Sequence, residues 1–179
     1  MAQRCNEVAK KGKSMNKINI DQVKLKMIEF NAGDPKQIQH FIKVYEFASL
    51  IGKEEGLEAN TQEILEVAAL VHDIGITRAR ELYGTSEGKY QEKEGPALAK
   101  KLLEEIGYTK EIIDRVSFLV GHHHTFDQIV GTDYQILVEA DLLVNFYEHQ
   151  TGKETIEKMF NKLFKTETGS YICKKMFAL

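Results

Sequence analysis

The sequence has few residues that interrupt helices. Only two of its 179 residues are proline, a residue that breaks the interior of an α-helix. There is no alternating polar and apolar pattern of useful strand length, no internal repeat and no low-complexity tract. Instead, apolar residues recur with the period of an α-helix over long stretches. We therefore predict an all-α fold, a single compact bundle of about seven to nine helices.

Cysteines and long apolar runs are also scarce. The two cysteines, Cys5 and Cys173, lie near opposite ends of the chain. A disulfide framework needs more cysteines, and a zinc ribbon needs closely spaced pairs. No apolar run approaches the roughly 18 to 20 residues of a membrane span. These absences favour a protein of the reducing cytoplasm that does not act within a membrane.

The chain lacks a large excess of charge of either sign. Its formal net charge is −3 at pH 7, so the sequence predicts no basic surface for duplex nucleic acid or for an anionic membrane. A nucleotide substrate stays compatible with this charge, because it needs only a few local cations. The composition, with 42% hydrophobic and 28% charged residues, is that of an ordinary globular domain.

Helix signals divide the chain into one tail and one domain. Residues 1–14 are polar and basic without the hydrophobic segment of a signal peptide, and we predict that they form a tail whose order is left open. Residues 15–179 are predicted to form the domain. Asp34 and Pro35 are a strong helix start, and Gly107 a helix end. The predicted helices span residues 21–30, 34–55, 61–75, 89–106, 109–121, 133–150, 153–165 and 170–179, with a bend at 95–96 and a loop at 77–88 that has room for one short helix.

A His–Asp pair stands at the end of an apolar helix. Residues 67–71 have no polar face and lead directly into His72 and Asp73. Burying this pair is costly unless something compensates it, and a divalent metal ion does so because imidazole and carboxylate are both ligands. Adjacent helix residues diverge by about 100°, so both reach one ion only at a helix end, which Gly75 supplies.

Two further residues fit the same interpretation. Asp141 lies in the apolar segment 136–146, where an unpaired carboxylate would be costly or would take up a proton. His40 lies in the helix that starts at Asp34. Each feature alone has a plainer interpretation: His40 as a surface histidine, the His–Asp pair as chance, and Asp141 as the partner of an Arg or Lys. All of them in this order favour a metal site.

The order His, His–Asp, Asp, each on an apolar helix, resembles the HD superfamily of metal-dependent phosphohydrolases over roughly residues 34–149. The resemblance implies His40, His72, Asp73 and Asp141 as metal ligands. Two imidazoles and two carboxylates suit one divalent ion, with Mn, Fe, Co or Ni favoured over Zn. The implied function is hydrolysis of a nucleotide or another small phosphate ester by metal-activated water, with Asp73 orienting the nucleophile.

Three consecutive histidines follow the predicted helix 109–121. In two-metal HD families a His–His pair at this position serves the second ion, and His122 and His123 match it. A further histidine of those families corresponds here to Gln91, which is a poor ligand. We therefore predict one ion, with His122 and His123 as catalytic acid, base or phosphate donor. The alternative for these histidines is a solvated helix end, where protonated imidazole is favourable.

The sequence also suggests contacts for a phosphate group. Lys43 occupies a position where many HD proteins have arginine, one turn after His40, and Arg78 follows Gly75. We predict that Lys43, Gln91, His124 and Arg78 bind substrate, although Lys43 and Arg78 also fit solvated surfaces. Some HD proteins have a Lys or Glu shortly after the His–Asp pair, and residues 74–77 contain neither.

The predicted partner is a small phosphorylated substrate, with a nucleotide among the candidates. Neither duplex nucleic acid nor a membrane is predicted as a partner, and homo-oligomers are left open. Two alternative functions remain. One is a catalytically reduced HD module that binds metal for sensing or scaffolding. The lack of a Lys or Glu in residues 74–77 favours this alternative slightly. The other is an HD-type non-haem iron oxygenase, against which Gln91 argues because that chemistry needs a complete ligand set.

Overall fold

The computed structural model of the protein describes residues 19–179, so the predicted tail, its boundary at residue 15 and Cys5 lie outside the described residues. Within this part there are nine helices and no strand, and the predicted all-α fold is confirmed. The helices are α1 (Ile20–Phe30), α2 (Pro35–Glu54), α3 (Ala59–Val71), α4 (Ile76–Tyr83), α5 (Gly88–Ile106), α6 (Lys110–Val120), α7 (Thr132–Glu148), α8 (Lys153–Leu163) and α9 (Glu167–Phe177).

The strongest local signals in the sequence correspond to observed helix ends. The side chain of Asp34 accepts a hydrogen bond from the backbone N–H of Gln37, and Pro35 occupies the first turn of α2. Gly107 ends α5 with φ +102°, a conformation that glycine adopts without strain. Thr109 caps α6 through its hydroxyl group. These ends were predictable because capping depends on residues within a few positions of each other.

Residues 77–88 contain most of the two-turn helix α4, the one short helix for which the predicted loop left room. Two helix ends differ from their predicted positions. Helix α3 ends at Val71, four residues before Gly75, and α9 begins at Glu167 rather than 170. Helix α5 continues through Pro96, whose ring packs against Gly121. Tertiary packing of α5 on α6 here offsets the hydrogen bond that proline removes.

The core is built around α3. Residues 67–71 of this helix are fully buried, and α3 packs against α2, α6 and α7. Helix α7 is buried on nearly all sides over residues 136–144. Polar side chains in these buried stretches have little access to water, so their partners come mainly from neighbouring helices. No helix in residues 19–179 combines the length and the apolar character needed to cross a membrane.

Two buried carboxylates in the middle of α7 face different partners. Glu139 is fully buried and accepts hydrogen bonds from the backbone N–H groups of Lys165 at 2.7 Å and Thr166 at 3.0 Å. It also accepts from the amide of Gln135 and the hydroxyl of Thr166. This carboxylate thus ties α7 to the start of α9. Asp141, two residues later, belongs to the site described below.

Replacing Glu139 is expected to destabilise the fold without affecting the predicted metal site. Glu139→Ala leaves the backbone donors of Lys165 and Thr166 without their acceptor, so we expect a loss of about 3 kcal/mol in the free energy of unfolding. Urea unfolding measures the loss, and metal content should stay at the wild-type value. Glu154→Ala, which removes an exposed carboxylate of α8, is the control and should change neither. Wild-type stability in Glu139→Ala would contradict this role.

Candidate metal centre

The turn between α3 and α4 presents the His–Asp pair. Because α3 ends at Val71, residues 72–75 form a turn in which the N–H of Ile74 donates to the carbonyl of Val71. The two side chains therefore stand at a helix end followed by a turn, and they point to the same place, with His72 Nε2 3.6 Å from Asp73 Oδ2. Gly75 lets α5 approach this turn closely, since a Cβ there would lie 2.6 Å from the carbonyl oxygen of Gln91.

Four side chains from three parts of the chain meet at this turn. His40 comes from the middle of α2, His72 and Asp73 from the turn, and Asp141 from the middle of α7. The Nε2 atoms of His40 and His72 lie 3.2 Å apart. Asp141 Oδ1 lies 3.2 Å from His40 Nε2 and 3.5 Å from His72 Nε2, and Asp73 Oδ2 lies 3.4 Å from His40 Nε2. The structure thus brings together all four residues that the sequence suggested as ligands.

The other nitrogen of each ring fixes its tautomer. His72 Nδ1 donates to the carbonyl oxygen of Ala69 at 2.9 Å, and His123 Nδ1 donates to that of Val120 at 2.8 Å. His40 Nδ1 lies 3.1 Å from a carboxylate oxygen of Glu148. Since these oxygens only accept, each neutral ring carries its proton on Nδ1 and a lone pair on Nε2. The lone pairs of His40 and His72 therefore face the carboxylates of Asp73 and Asp141, which suits a cation. The lone pair of His123 faces the other carboxylate oxygen of Asp73.

The carboxylates around His40 and His72 stabilise positive charge between them. Burial lowers the pKa of His40, but the hydrogen bond to Asp141 and the charges of Asp73, Asp141 and Glu148 outweigh it and raise the pKa to about 9. Burial raises the pKa of Asp141, but hydrogen bonds from His40 and His72 hold it well below its usual range. Burial also raises the pKa of Asp73, but the charge of His72 outweighs burial and lowers this pKa below its usual value. A divalent ion satisfies the same demand for charge.

A second group of ligand atoms shares Asp73. His123 Nε2 lies 3.5 Å from Asp73 Oδ1, and the ligand atoms of Asp73, His123 and His124 lie within 4.8 Å of one another. Within residues 19–179 the Nε2 atoms of both histidines are buried and have no hydrogen-bond partner. Burial, followed by the charge of His123, lowers the pKa of His124 to about 4, which keeps its ring neutral. His124 is therefore a candidate for the further ligand that the sequence did not offer at Gln91.

The metal content is expected to reflect both groups. The sequence predicted one ion because Gln91 is a poor ligand. In the structure the group around His40 and His72 offers four ligand side chains, and the group around His123 and His124 offers three. We expect about one ion per chain in protein purified without added metal, rising towards two with added Mn²⁺, because three ligands bind more weakly than four. Elemental analysis measures the ratio. His124→Ala should hold it at one, and a wild-type ratio that stays at one in excess Mn²⁺ would exclude the second ion.

Three residues predicted for catalysis or substrate binding lie outside these groups. His122 donates from Nδ1 to the carbonyl of Phe118 and stacks on its ring at 4.2 Å between centroids. Lys43 donates to Glu148 at 2.6 Å. Arg78 pairs with Glu81 on the exposed side of α4. The reason is local: the turn after α6 directs His123 and His124 inward, and α4 is a helix rather than an open loop.

The site opens into a cavity of about 310 Å³. Its lining includes two cations, Lys36 and Arg80. It also includes Gln91 and His124, two of the residues that the sequence predicted to bind substrate. The amide of Gln91 donates to the carbonyl of Ser86, while its Oε1 is buried and has no partner within the described residues. The lining therefore has two cations beside the carboxylates of Asp34, Asp73, Asp141 and Glu148, and it has a free acceptor in its wall.

Several residues of the site were missed by sequence reasoning. Gln37 donates to Asp73 Oδ2 at 2.9 Å and lies three residues before His40, on the same face of α2. Glu148 lies seven residues after Asp141, again on the same helix face. Helical spacing from the predicted ligands would have found both. Arg80 belongs to the polar segment beyond Gly75 in which the sequence predicted substrate contacts, and helix α4 carries it to the cavity.

Known proteins share this arrangement of helices. The HD domain family model matches residues 38–164. The crystal structure of a predicted HD superfamily hydrolase from an uncultured Thermotogales bacterium has 25% sequence identity and a TM-score of 0.61, over 89% of this chain and 83% of that chain. The crystal structure of Bacillus subtilis YpgQ, at 19% identity, has a TM-score of 0.59 over 89% of each chain. No protein of curated function matches this chain.

The family model covers well over half of the sequence, and its range includes the His–Asp turn and the other side chains that meet there. Divalent metals are bound by HD domains, and two clusters of His and Asp in this structure suit such an ion. The sequence match and the fold agree. We conclude that this chain belongs to the HD domain family.

Proposed function

We propose that the protein is a metal-dependent phosphohydrolase that acts on a nucleotide or another small phosphate ester. The observation that carries the proposal is the convergence of two imidazole lone pairs and two carboxylates beside a cavity lined by Lys36 and Arg80. Such a donor set suits Mn²⁺, Fe²⁺, Co²⁺ or Ni²⁺, and also accommodates Zn²⁺. His40, His72, Asp73 and Asp141 would hold the ion.

Each residue has a role in this proposal. A divalent ion, when bound, supplies an acidic water and a partner for phosphoryl oxygens. Asp73 is held by the amide of Gln37 and orients the nucleophile. His123 places its Nε2 3.5 Å from Asp73 Oδ1, where the imidazole can act as general acid or base. Lys36 and Arg80 take the phosphate-binding role that the sequence suggested for Lys43 and Arg78, because they line the cavity.

The size of the cavity supports a small substrate. A volume of about 310 Å³ lies at the lower end of the range for small-molecule sites, about 300 to 1,000 Å³. Duplex nucleic acid and membranes are not part of the proposal, in agreement with the net charge of −3. The proposal includes a cytoplasmic location, which is supported by the low number of cysteines.

A panel of phosphomonoesters and phosphodiesters, including nucleotides, tests the activity in the presence of Mn²⁺. We expect turnover of at least one monoester, and we expect its loss in Asp73→Asn, which keeps the size of the side chain. Glu154→Ala is the control for handling and purity. Metal binding without turnover across the panel would instead support the reduced sensing or scaffold module, which the lack of an acid or Lys at residues 74–77 favours.

The second group of ligands gives a specific reason to test oxidative chemistry. The sequence argument against an iron oxygenase was that Gln91 left the ligand set incomplete, and His124 now completes a group with Asp73 and His123. Protein loaded with Fe²⁺ without oxygen and then exposed to air distinguishes the two functions. New visible absorption together with no phosphate release would favour the oxygenase, and phosphate release without such absorption would favour the hydrolase.

A further inference from the structure

We propose that Glu148 is a positioning residue for the metal centre, where its carboxylate holds the ring of His40 with Nε2 facing the ligand cluster and Lys43 holds the carboxylate. This inference rests on metal binding within the proposed function. It gives a role to Glu148. It also assigns Lys43 a contact with Glu148 in place of the predicted contact with phosphate.

The geometry supplies one donor for each oxygen of Glu148. Oε2 lies 3.1 Å from His40 Nδ1, and Oε1 accepts from Lys43 Nζ at 2.6 Å. The side chain of Glu148 is 10% exposed. His40 and Lys43 are three residues apart on α2, so both face the end of α7 on which Glu148 stands. The carboxylate therefore bridges two positions of one helix face from a second helix.

His40 needs such a partner because of its place in α2. His72 and His123 each follow the end of a helix, and each donates from Nδ1 to a carbonyl oxygen three residues earlier. Those carbonyls are available because the last turn of a helix leaves its carbonyl groups without helical partners. His40 lies in the interior of α2, where the preceding carbonyls accept the helix's own hydrogen bonds. An acceptor for its Nδ1 must therefore come from elsewhere.

The position of Glu148 is electrostatically costly without its partners. It is the last residue of α7, where the helix dipole disfavours a negative charge. Lys43 and His40 compensate it: burial raises the pKa of Glu148, but the hydrogen bond from Lys43 and the charge of His40 lower it below its usual value. Helix α7 thus contributes both Asp141, a ligand, and Glu148, which orients another ligand. A carboxylate behind a ligating imidazole fixes the ring and makes it a stronger donor.

Metal affinity of purified variants tests this role. Calorimetric titration with Mn²⁺ should show an affinity about 10 to 100 times lower in Glu148→Ala than in the wild type. Glu148→Gln keeps an acceptor for Nδ1 and should restore most of that loss. The visible spectrum of bound Co²⁺ should change in Glu148→Ala and return towards the wild type in Glu148→Gln. Glu154→Ala removes an exposed carboxylate that pairs with a lysine at 2.7 Å and is the matched control.

The outcomes separate this inference from the proposed function. Wild-type affinity in Glu148→Ala, with a lower melting temperature, would overturn the positioning role and leave only a tie between α2 and α7. If Glu148→Ala fails to fold, Glu148→Asp serves instead: its shorter side chain withdraws the acceptor, so we expect about tenfold weaker binding, and unchanged affinity overturns the inference. Absence of metal binding in the wild type would overturn the metal-dependent function itself.

Discussion

Removal of the bound metal is expected to lower the melting temperature of the protein by about 5–11 °C. An ion at 100 times its dissociation constant adds about 2.7 kcal/mol when it binds only the folded state. In a domain of this size each kcal/mol shifts the midpoint by about 2–4 °C. The four ligand side chains lie between positions 40 and 141, so the unfolded chain does not hold them together. Because the chain has no tryptophan, circular dichroism of the helices is the suitable measurement.

The specificity of this effect can be checked within the same experiment. EDTA should lower the midpoint of the wild type, and adding Mn²⁺ after removal of the chelator should restore it. Asp141→Ala, which lacks a ligand, should melt at the same temperature with and without EDTA. An unchanged melting curve of the wild type after verified removal of its metal would count against the whole ligand assignment.

Asp141→Ala is expected to abolish metal retention and phosphatase activity while the helices persist. The carboxylate lies within 3.5 Å of the Nε2 atoms of both His40 and His72, and its removal takes away one of the four proposed ligands. Helix α7 keeps its apolar contacts over residues 136–144, so we expect the helical spectrum to remain. Elemental analysis after gel filtration and the phosphate-release assay measure the two losses. Full metal occupancy in this variant would show that Asp141 is not a ligand.

Glu139→Ala provides the matched comparison, because both residues are buried acids of the same helix. Glu139 faces the start of α9 and Asp141 faces the imidazoles. We therefore expect opposite results: Glu139→Ala loses stability and keeps metal, whereas Asp141→Ala loses metal and keeps its helical structure. A shared phenotype in the two variants would mean that burial of charge, rather than the partner of each carboxylate, controls both effects.

Lys43 illustrates a limit of sequence reasoning at this site. Its spacing from His40 correctly placed it on the same face of α2, but its partner, Glu148, is 105 residues away. A lysine side chain is long and flexible, so its ammonium group goes to whichever acceptor the fold brings near. The same applies to Arg78 and Arg80, which are two residues apart on α4 and point to surface and cavity respectively.

The histidine cluster shows a second limit. The sequence marked residues 122–124 as a unit, but only their backbone geometry decides which rings enter the site. Helix α6 ends at Val120, and the following turn directs His123 and His124 towards Asp73 while His122 stacks on Phe118. A shift of the helix end by one residue would exchange these roles. Helix ends are the least certain part of a sequence-based prediction.

The sequence by itself determined the all-α class, the capped starts of α2 and α6, the end of α5 and the four polar residues that meet between α2, α3 and α7. The helix features follow from local capping, and the choice of the four polar residues follows from the cost of placing His and Asp in apolar helices together with the resemblance to the HD superfamily. Only the tertiary structure decided that His124 joins Asp73 and His123, and that Glu148 stands behind His40. The physical reason is that a hydrogen bond or a ligand group depends on distances of a few ångströms between residues that are far apart in the chain, and packing sets those distances.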